Sequence, residues 1–432
     1  MKRLFTNAVI VTVNEEDEII HGAMAVEDDK ITYIGETPEN IWAYDDVINM
    51  RGKMIMPGFI NTHGHAAMSL LRGYADDLPL QEWLETKIWP IEDKFGPQQV
   101  KWGTYLSILE MIKSGTTTFV DMYDYMDEVA HAVVQSGMRA RLCRGMIGLG
   151  PEDEQQYKLR EATQFVQEWH DAAGGRITTM MAPHSPYTCP PDFIEKIVAQ
   201  SAALNVPIHI HMSETTREVQ QNVEEYGKRP VAHLLELGVF DRPTLVAHAV
   251  HVNDDEIEIL QRNDVKISHN PGSNLKLGSG IAPVVTMLQK GLRPSLGTDS
   301  SASNNNLDMM EEMRLAALIH KGAAHDPTVL PATTALRMAT RYGAEAAFLS
   351  ELGSIEVGKK ADFISVNIDD AHWLPQHDLL SHLVYSATSS DIQDVYVNGR
   401  PLMRNRQCLT LDEERIRFQV NKVWGQLNIY IV

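Results

Sequence analysis

Eight short apolar segments between residues 57 and 350 constrain the fold of this 432-residue chain more than any other feature. Each has the length and composition of a buried strand and is followed by helical or loop sequence. They are GFINTH (58–63), GTTTFVDMY (115–123), MRARLCRGM (138–146), RITTMMAPH (176–184), VPIHIH (206–211), TLVAHA (244–249), VKISHNP (265–271) and LRPSLGTDS (292–300). Eight βα units predict an α/β protein with a closed (β/α)8 TIM-type barrel. A doubly wound open sheet is the alternative, but no segment is followed by a glycine-rich phosphate loop.

Both ends of the chain have a different pattern. Residues 1–56 and 351–432 contain short segments in which apolar and polar residues alternate between turn residues. This pattern is typical of small antiparallel sheets. We therefore predict that 1–56 and 351–432 pair into one small β-sandwich domain, and that 57–350 form the catalytic barrel between them.

The composition excludes some classes of partner. A net charge of −20 argues against nucleic acid and anionic membranes, which both attract basic surfaces. The three cysteines (Cys143, Cys189 and Cys408) are far apart and form no CxxC pair, as expected for reduced thiols. No apolar stretch approaches the roughly 20 residues that span a bilayer, and the first residues lack the features of a signal peptide. We predict a cytoplasmic protein and leave open whether it forms a homo-oligomer.

The predicted strands end in side chains that bind metals or move protons. In an extended strand residues i and i+2 project to the same side, so His63 and His65 can hold one ion together, although two loop histidines are the alternative for this pair taken alone. The carboxyl ends of barrel strands meet at one rim. The residues at these ends are His63, His65, His184, His211, His248, His269 and Asp299.

Four of these residues form a suitable metal-binding set. Three imidazoles and one carboxylate fit a divalent metal and leave a position for water; the four are His63, His65, His211 and Asp299. Such a metal lowers the pKa of bound water to about 7, which favours hydrolysis. We expect one divalent ion, with Zn²⁺ favoured and Fe²⁺ or Mn²⁺ as alternatives.

Other residues near this set suit proton transfer. Glu214 follows His211 by three residues and can act beside the metal as a proton shuttle, or else cap or pair on the surface. His248 can orient or deprotonate the water, whereas His269 is expected to stabilise its loop. The remaining histidines in helical or terminal stretches are predicted to lie at the surface: His131, His170, His320, His325, His372, His377 and His382.

The ordered set PGFINTHGH, HIHMSET, LVAHAVH, SHNPGSN and GTDSSASNNNLDM resembles the amidohydrolase superfamily over the whole chain. Within it the chain is similar to the S-adenosylhomocysteine/5-methylthioadenosine deaminases. The resemblance implies metal ligation by the four residues above. It also implies that Glu214 shuttles protons to a purine ring and that His248 and Asp299 assist catalysis.

The resemblance also implies nucleoside-binding residues. They are Glu92 in WPIEDKF, Arg144 in LCRGM and His184 in APHSPYT. Glu92 can accept two hydrogen bonds from a ribose diol, and Arg144 can bind a carboxylate. Alternatively, Glu92 pairs with a nearby lysine and Arg144 forms a salt bridge at the rim. Trp83 offers an apolar face to adenine or a thioether, or else packs within its loop.

The implied reaction is metal-dependent hydrolytic deamination of the adenine ring of 5'-methylthioadenosine and S-adenosylhomocysteine, with adenosine as a further candidate. Guanine deamination and s-triazine hydrolysis are alternatives on the same scaffold, because the site rather than the fold sets the function. A binuclear site is disfavoured because no predicted strand ends in lysine. A metal-binding barrel without catalysis is the alternative from another class.

Overall fold

The computed structural model describes residues 1–428, which begin with a group of strands. The hairpin of β2 and β3 packs antiparallel along one edge of β1, and the chain then returns to the other edge. There β4 and β5 lie end to end and run parallel to β1. The strands are β1 (Lys2–Val11), β2 (Ile19–Glu27), β3 (Lys30–Gly35), β4 (Asp46–Asn49) and β5 (Lys53–Pro57). The prediction of an antiparallel sheet is therefore wrong. Alternation of apolar and polar residues indicates which face of a strand is buried, but it does not indicate the direction of the neighbouring strand.

Eight parallel strands then form the predicted barrel, and the open-sheet alternative is wrong. They are β6 (Phe59–Asn61), β7 (Thr116–Tyr123), β8 (Arg139–Met146), β9 (Ile177–Pro183), β10 (Ile208–Met212), β11 (Thr244–His248), β12 (Lys266–His269) and β13 (Ser295–Leu296). The first and last strands meet, because the amide of Thr62 donates to the carbonyl of Leu296 at 3.0 Å. Seven of the eight predicted segments contain a whole strand, and the segment 206–211 contains all of β10 except Met212.

The end of the chain completes the first sheet. Its strands are β14 (Phe363–Asn367), β15 (Ile392–Val397), β16 (Arg400–Arg404) and β17 (Gln407–Cys408). β14 pairs antiparallel with β5, so nine strands from both chain ends form one mixed sheet. Phe5, Phe363 and Tyr396 pack together in its core. The guanidinium of Arg3 donates to the carbonyl of Gly399, and a bridge joins Lys30, in the edge strand β3, to Lys360, so the sheet curls around that core.

Helices follow the barrel strands and cover the barrel. Asn253 and Glu256, for example, form a capping box that begins α10. A π-helical turn, Leu84–Ile88, separates the first two helices. The helices are α1 (Leu80–Trp83), α2 (Trp89–Glu92), α3 (Pro97–Lys113), α4 (Met126–Ser136), α5 (Glu152–Trp169), α6 (Ala172–Gly175), α7 (Pro191–Leu204), α8 (Thr216–Tyr226), α9 (Pro230–Glu236), α10 (Asp254–Arg262), α11 (Pro271–Lys276), α12 (Val284–Gln289), α13 (Met309–Ala324), α14 (Ala332–Ala339), α15 (Arg341–Ala346), α16 (Leu379–Tyr385) and α17 (Glu413–Asn428).

The barrel and the sheet share buried contacts. Arg139 of β8 forms a buried salt bridge with Asp362, directly before β14, with Nε and Oδ2 2.8 Å apart. The last helix packs beside α3, where Lys113 pairs with Glu413 at 2.6 Å. The division into 1–56, 57–350 and 351–432 stays a prediction. Within residues 1–428, no helix combines the length and the apolar character needed to cross a lipid bilayer.

Candidate active site

Three histidines and one aspartate bring their ligand atoms together at the carboxyl end of the barrel. His63 and His65 follow β6, and the Nε2 atoms of both lie close to Oδ1 of Asp299, at 3.4 and 3.3 Å. Nε2 of His211, in β10, lies 3.4 Å from Nε2 of His65. Nε2 of His63 is buried without a hydrogen-bond partner, so its lone pair is free for an ion. This donor set fits one divalent transition metal.

The charges in this cluster also suit a cation. Burial lowers the pKa of His63 and of His211 well below the ordinary histidine value, so both rings are neutral. Burial alone would raise the pKa of Asp299, but the imidazoles of His63 and His65 beside its Oδ1 hold it well below its usual range. Burial likewise lowers the pKa of His65, yet Asp299 raises it to about 9. A cation bound between them would displace that proton.

Hydrogen bonds on the far side of the rings fix their orientation. The Nδ1 atom of His65 donates to the carbonyl of Met122 at 2.6 Å, and that of His211 donates to the carbonyl of His184 at 2.7 Å. A carbonyl only accepts, so Nδ1 carries a proton in both rings. Nε2 of the neutral His211 keeps its lone pair, and Nε2 of His65 gains one when a cation displaces its second proton. Nδ1 of His63 lies 2.9 Å from Nε2 of His209, which is fully buried.

Two serine hydroxyls fix the orientation of the Asp299 carboxylate. Oδ2 of Asp299 accepts hydrogen bonds from the hydroxyls of Ser273, at 2.6 Å, and Ser303, at 2.8 Å. Oδ1 therefore faces the histidines. The backbone of Asp299 is left-handed, with φ of 57°, and His248 has φ of 74°. Such strain in residues other than glycine is typical of functional sites.

Glu214 lines the same cleft as His65, His211 and Asp299, three of the four predicted metal ligands. Its carboxylate is buried, and Oε2 lies 3.8 Å from Nε2 of His248. The carboxylate of Glu218 accepts the backbone N–H groups of Ser213 and Glu214, both at 2.7 Å, and so fixes this turn. Burial raises the pKa of Glu214, which favours a carboxyl that can hold and release a proton.

His248 is oriented by a residue that the sequence analysis did not single out. The Nδ1 atom of His248 lies 2.8 Å from Oδ1 of Asn274, a buried residue of α11. An amide oxygen accepts, so Nδ1 carries the proton and Nε2 faces Glu214 with its lone pair. Asn274 belongs to the SHNPGSN motif, which was the available signal. Ser273, Ser303 and Glu218 were missed as well.

One cleft opens above these residues. It holds about 1010 Å³ of space, part of it open to solvent, a size suited to a small molecule. His65, His211, Glu214, His248 and Asp299 line its floor. The segment between β6 and α3 forms an apolar wall with Leu80, Trp83, Leu84, Ile88 and Trp89.

Three of the four predicted nucleoside-binding residues line this cleft: Trp83, Glu92 and His184. Glu92 accepts a hydrogen bond from the hydroxyl of Tyr123. Desolvation in the cleft raises the pKa of Glu92 to about 7. Nδ1 of His184 lies 2.9 Å from the hydroxyl of Thr188, and burial lowers the pKa of His184 to about 3, so its ring is neutral.

Arg144 lies beside the cleft mouth and does not line the cleft itself. Its Nη2 atom is 2.6 Å from Asp124 and 3.1 Å from Glu161. The adjacent Gly145 and the carboxylate of Asp124 do line the cleft. Arg144 is therefore in a salt bridge with two carboxylates, next to residues that line the cleft.

The prediction that His320 lies at the surface is wrong. It is buried on α13, and its Nε2 atom lies 3.1 Å from Nε2 of His269. The helical pattern around His320 does not show which face packs on the barrel. His269 is also buried and contacts this histidine.

Comparisons with known proteins agree with this arrangement. The amidohydrolase family model matches residues 54–402. A 5-methylthioadenosine/S-adenosylhomocysteine deaminase of Halalkalibacterium halodurans is 51% identical over 428 residues, 98% of each chain. The structure of an adenosine deaminase from Xanthomonas campestris with bound zinc superposes with a TM-score of 0.94 at 34% identity, covering 99% of this chain and 98% of that one.

A more distant solved structure has a different activity. The zinc complex of an atrazine chlorohydrolase from Arthrobacter aurescens has a TM-score of 0.91 at 26% identity, covering 98% of this chain and 100% of that one. The shared fold thus carries more than one kind of hydrolysis. The family match and the identity over nearly the full length confirm the resemblance: the chain belongs to the amidohydrolase family, and within it to the 5-methylthioadenosine/S-adenosylhomocysteine deaminases.

Proposed function

We propose that this enzyme hydrolytically deaminates the adenine ring of 5'-methylthioadenosine and S-adenosylhomocysteine, releasing ammonia and leaving the hypoxanthine nucleoside. The observation that carries the proposal is the position of Glu214. It is a buried carboxyl that lies beside three convergent histidines and Asp299 without being needed as a ligand. Nucleobase deaminases pair a metal with a glutamate in this role.

One divalent ion would be held by His63, His65, His211 and Asp299. When bound, such an ion lowers the pKa of a coordinated water towards 7 and so supplies hydroxide at neutral pH. The zinc in the related adenosine deaminase supports Zn²⁺ as the ion, with Fe²⁺ and Mn²⁺ as alternatives that the same ligands accept.

The side chains then divide the proton transfers between them. Glu214 donates a proton to N1 of the adenine ring as water adds to C6. Nε2 of His248 accepts a hydrogen bond from that water and orients it, since Asn274 holds the opposite nitrogen. Asp299 accepts a further hydrogen bond at the tetrahedral carbon. Glu214 regains a proton from the added water and passes it to the amino group. Ammonia leaves as the carbon–nitrogen bond breaks, and the proton of the C6 hydroxyl returns to Glu214 as the carbonyl forms.

The cleft accounts for a purine nucleoside substrate. Glu92 can accept both hydroxyls of a ribose, and His184 can bond to the ring or sugar. Trp83 offers an apolar wall to the base or to the thioether. Arg144, next to the cleft residues Gly145 and Asp124, is the cation proposed to bind the carboxylate of the amino-acid tail of S-adenosylhomocysteine.

A substrate panel tests this proposal. The purified protein, loaded with zinc and checked for metal content, is incubated with 5'-methylthioadenosine, S-adenosylhomocysteine, adenosine, guanine and atrazine. We expect loss of adenine absorbance and stoichiometric ammonia from the two thio-nucleosides. Turnover of guanine or atrazine alone would refute the substrate assignment, and metal binding without any turnover would identify a non-catalytic barrel.

A further inference from the structure

We infer that His209 is a positioning residue that fixes which nitrogen of His63 carries the proton, and so prepares His63 to bind the metal through Nε2. The inference rests on the metal centre of the proposed function. His209 lies in β10, two residues before His211, and its ring is fully buried. Nothing in the proposed reaction uses it directly.

The backbone carbonyl of Leu245 determines which nitrogen of His209 carries the proton. Nδ1 of His209 lies 2.9 Å from the carbonyl oxygen of Leu245. That oxygen only accepts, so Nδ1 of His209 carries a proton. Its two nitrogens face a carbonyl and another imidazole, and neither supplies the negative charge that would offset a buried imidazolium. The ring is therefore neutral, and its Nε2 atom is an acceptor.

His209 in turn determines which nitrogen of His63 carries the proton. Nε2 of His209 lies 2.9 Å from Nδ1 of His63, so Nδ1 of His63 must donate. The neutral His63 ring then has its lone pair on Nε2. This is the atom that is buried without a hydrogen-bond partner and lies 3.4 Å from Oδ1 of Asp299. The carbonyl of Leu245 thus sets the tautomer of His63 through His209.

His63 differs in this respect from the other two histidines of the set. His65 and His211 each donate Nδ1–H directly to a carbonyl, those of Met122 and His184. A metal-ligating histidine depends on such a partner, and loss of the partner typically weakens metal binding 10- to 100-fold. His209 supplies that partner for His63.

Two substitutions at one position separate positioning from packing. In His209→Gln, the side-chain amide can still donate to the Leu245 carbonyl and accept from His63. In His209→Met, the volume is largely kept but the acceptor is lost. Zinc affinity of the stripped proteins is measured by competition with a chelating dye, together with melting temperature. His233→Met, which removes a buried histidine bonded to Asn222 on another part of the fold, is the matched control.

We expect His209→Met to bind zinc about 10- to 100-fold more weakly than the wild type, with His209→Gln and His233→Met within a few fold of it. Equal zinc affinity in His209→Met and the wild type would overturn the positioning role while leaving the metal centre in place. Equal losses in His209→Met and His209→Gln would assign His209 to packing. A wild-type protein that binds no zinc would overturn the metal centre and this inference with it.

Discussion

Oε2 of Glu214 lies 3.8 Å from Nε2 of His248, and both side chains are buried beside the metal-ligating set. The two groups are oriented independently. The turn that carries Glu214 is fixed by Glu218, and the ring of His248 is fixed by Asn274. A proton donor in the turn after β10 and a hydrogen-bond acceptor at the end of β11 thus line the same cleft.

Glu214→Gln should keep the metal but lose turnover. The amide preserves the shape of the side chain but cannot transfer a proton, so kcat should fall about 10²- to 10⁴-fold. Zinc content measured on the same sample should match the wild type. Glu236→Gln, at an exposed glutamate paired with Lys228, serves as the control. A Glu214→Gln enzyme with near-normal kcat would rule out the shuttle.

Asn274→Leu should lower kcat because it removes the acceptor for the Nδ1 proton of His248. The loss of one buried hydrogen bond, about 1.4 kcal/mol, corresponds to roughly 10-fold in rate. Asn274→Asp keeps an acceptor and should retain more activity than Asn274→Leu. Steady-state kinetics at saturating zinc test this, and equal activity in the two variants would argue against the orienting role.

Substitutions that change the charge at or beside Arg144 should change the kinetic constants for S-adenosylhomocysteine more than those for 5'-methylthioadenosine. Arg144→Ala removes the cation and leaves Asp124 and Glu161 to repel a carboxylate, so kcat/KM for S-adenosylhomocysteine should fall about 10- to 100-fold. Glu161→Gln frees Arg144 from one partner and should lower KM for the same substrate. The ratio of kcat/KM for the two nucleosides is the measurement. An unchanged ratio in both variants would show that the tail does not reach Arg144.

The raised pKa of Glu92, about 7, predicts that the preference for a nucleoside with ribose hydroxyls over one without them depends on pH. Below this pH the carboxyl is protonated, and above it the carboxylate can accept both sugar hydroxyls. The ratio of kcat/KM for adenosine to that for 2',3'-dideoxyadenosine should therefore rise with pH through about 7. Other titrating groups act on both substrates and cancel in the ratio. Glu92→Gln should make the ratio independent of pH; a rise that persists in this variant would assign it to another group.

The buried pair of Arg139 and Asp362 should matter for stability and not for chemistry. Arg139→Met leaves the Asp362 carboxylate buried and unpaired, at a cost of about 3–5 kcal/mol. The double variant Arg139→Met with Asp362→Leu removes both charges and should recover much of the loss. Melting temperatures compare the three proteins, and kcat should stay near normal in each folded variant. A double variant less stable than Arg139→Met would contradict this account.

Local pattern in the sequence was enough to locate the strands of the barrel. The segments around His63, His211 and His248 form strands because their apolar runs have the length of a buried strand and lie between helical stretches. The polar residues at their ends are informative because every barrel strand ends at the same rim. The metal-ligating set and Glu214 could therefore be proposed from the sequence, and the structure brings these residues together.

Contacts between distant parts of the chain depended on the tertiary structure. Local periodicity does not predict the direction of the strands in the mixed sheet or the burial of His320. It also does not predict that Asn274 and Glu218 contact the residues of the site. Arg144 was identified by its motif, but only the fold shows its two carboxylate partners. The sequence by itself determined which strands end in ligands and bases, because that follows from local spacing. Only the tertiary structure decided how each of those side chains is oriented, because the partner that holds it, such as Leu245 behind His209, comes from another strand or loop.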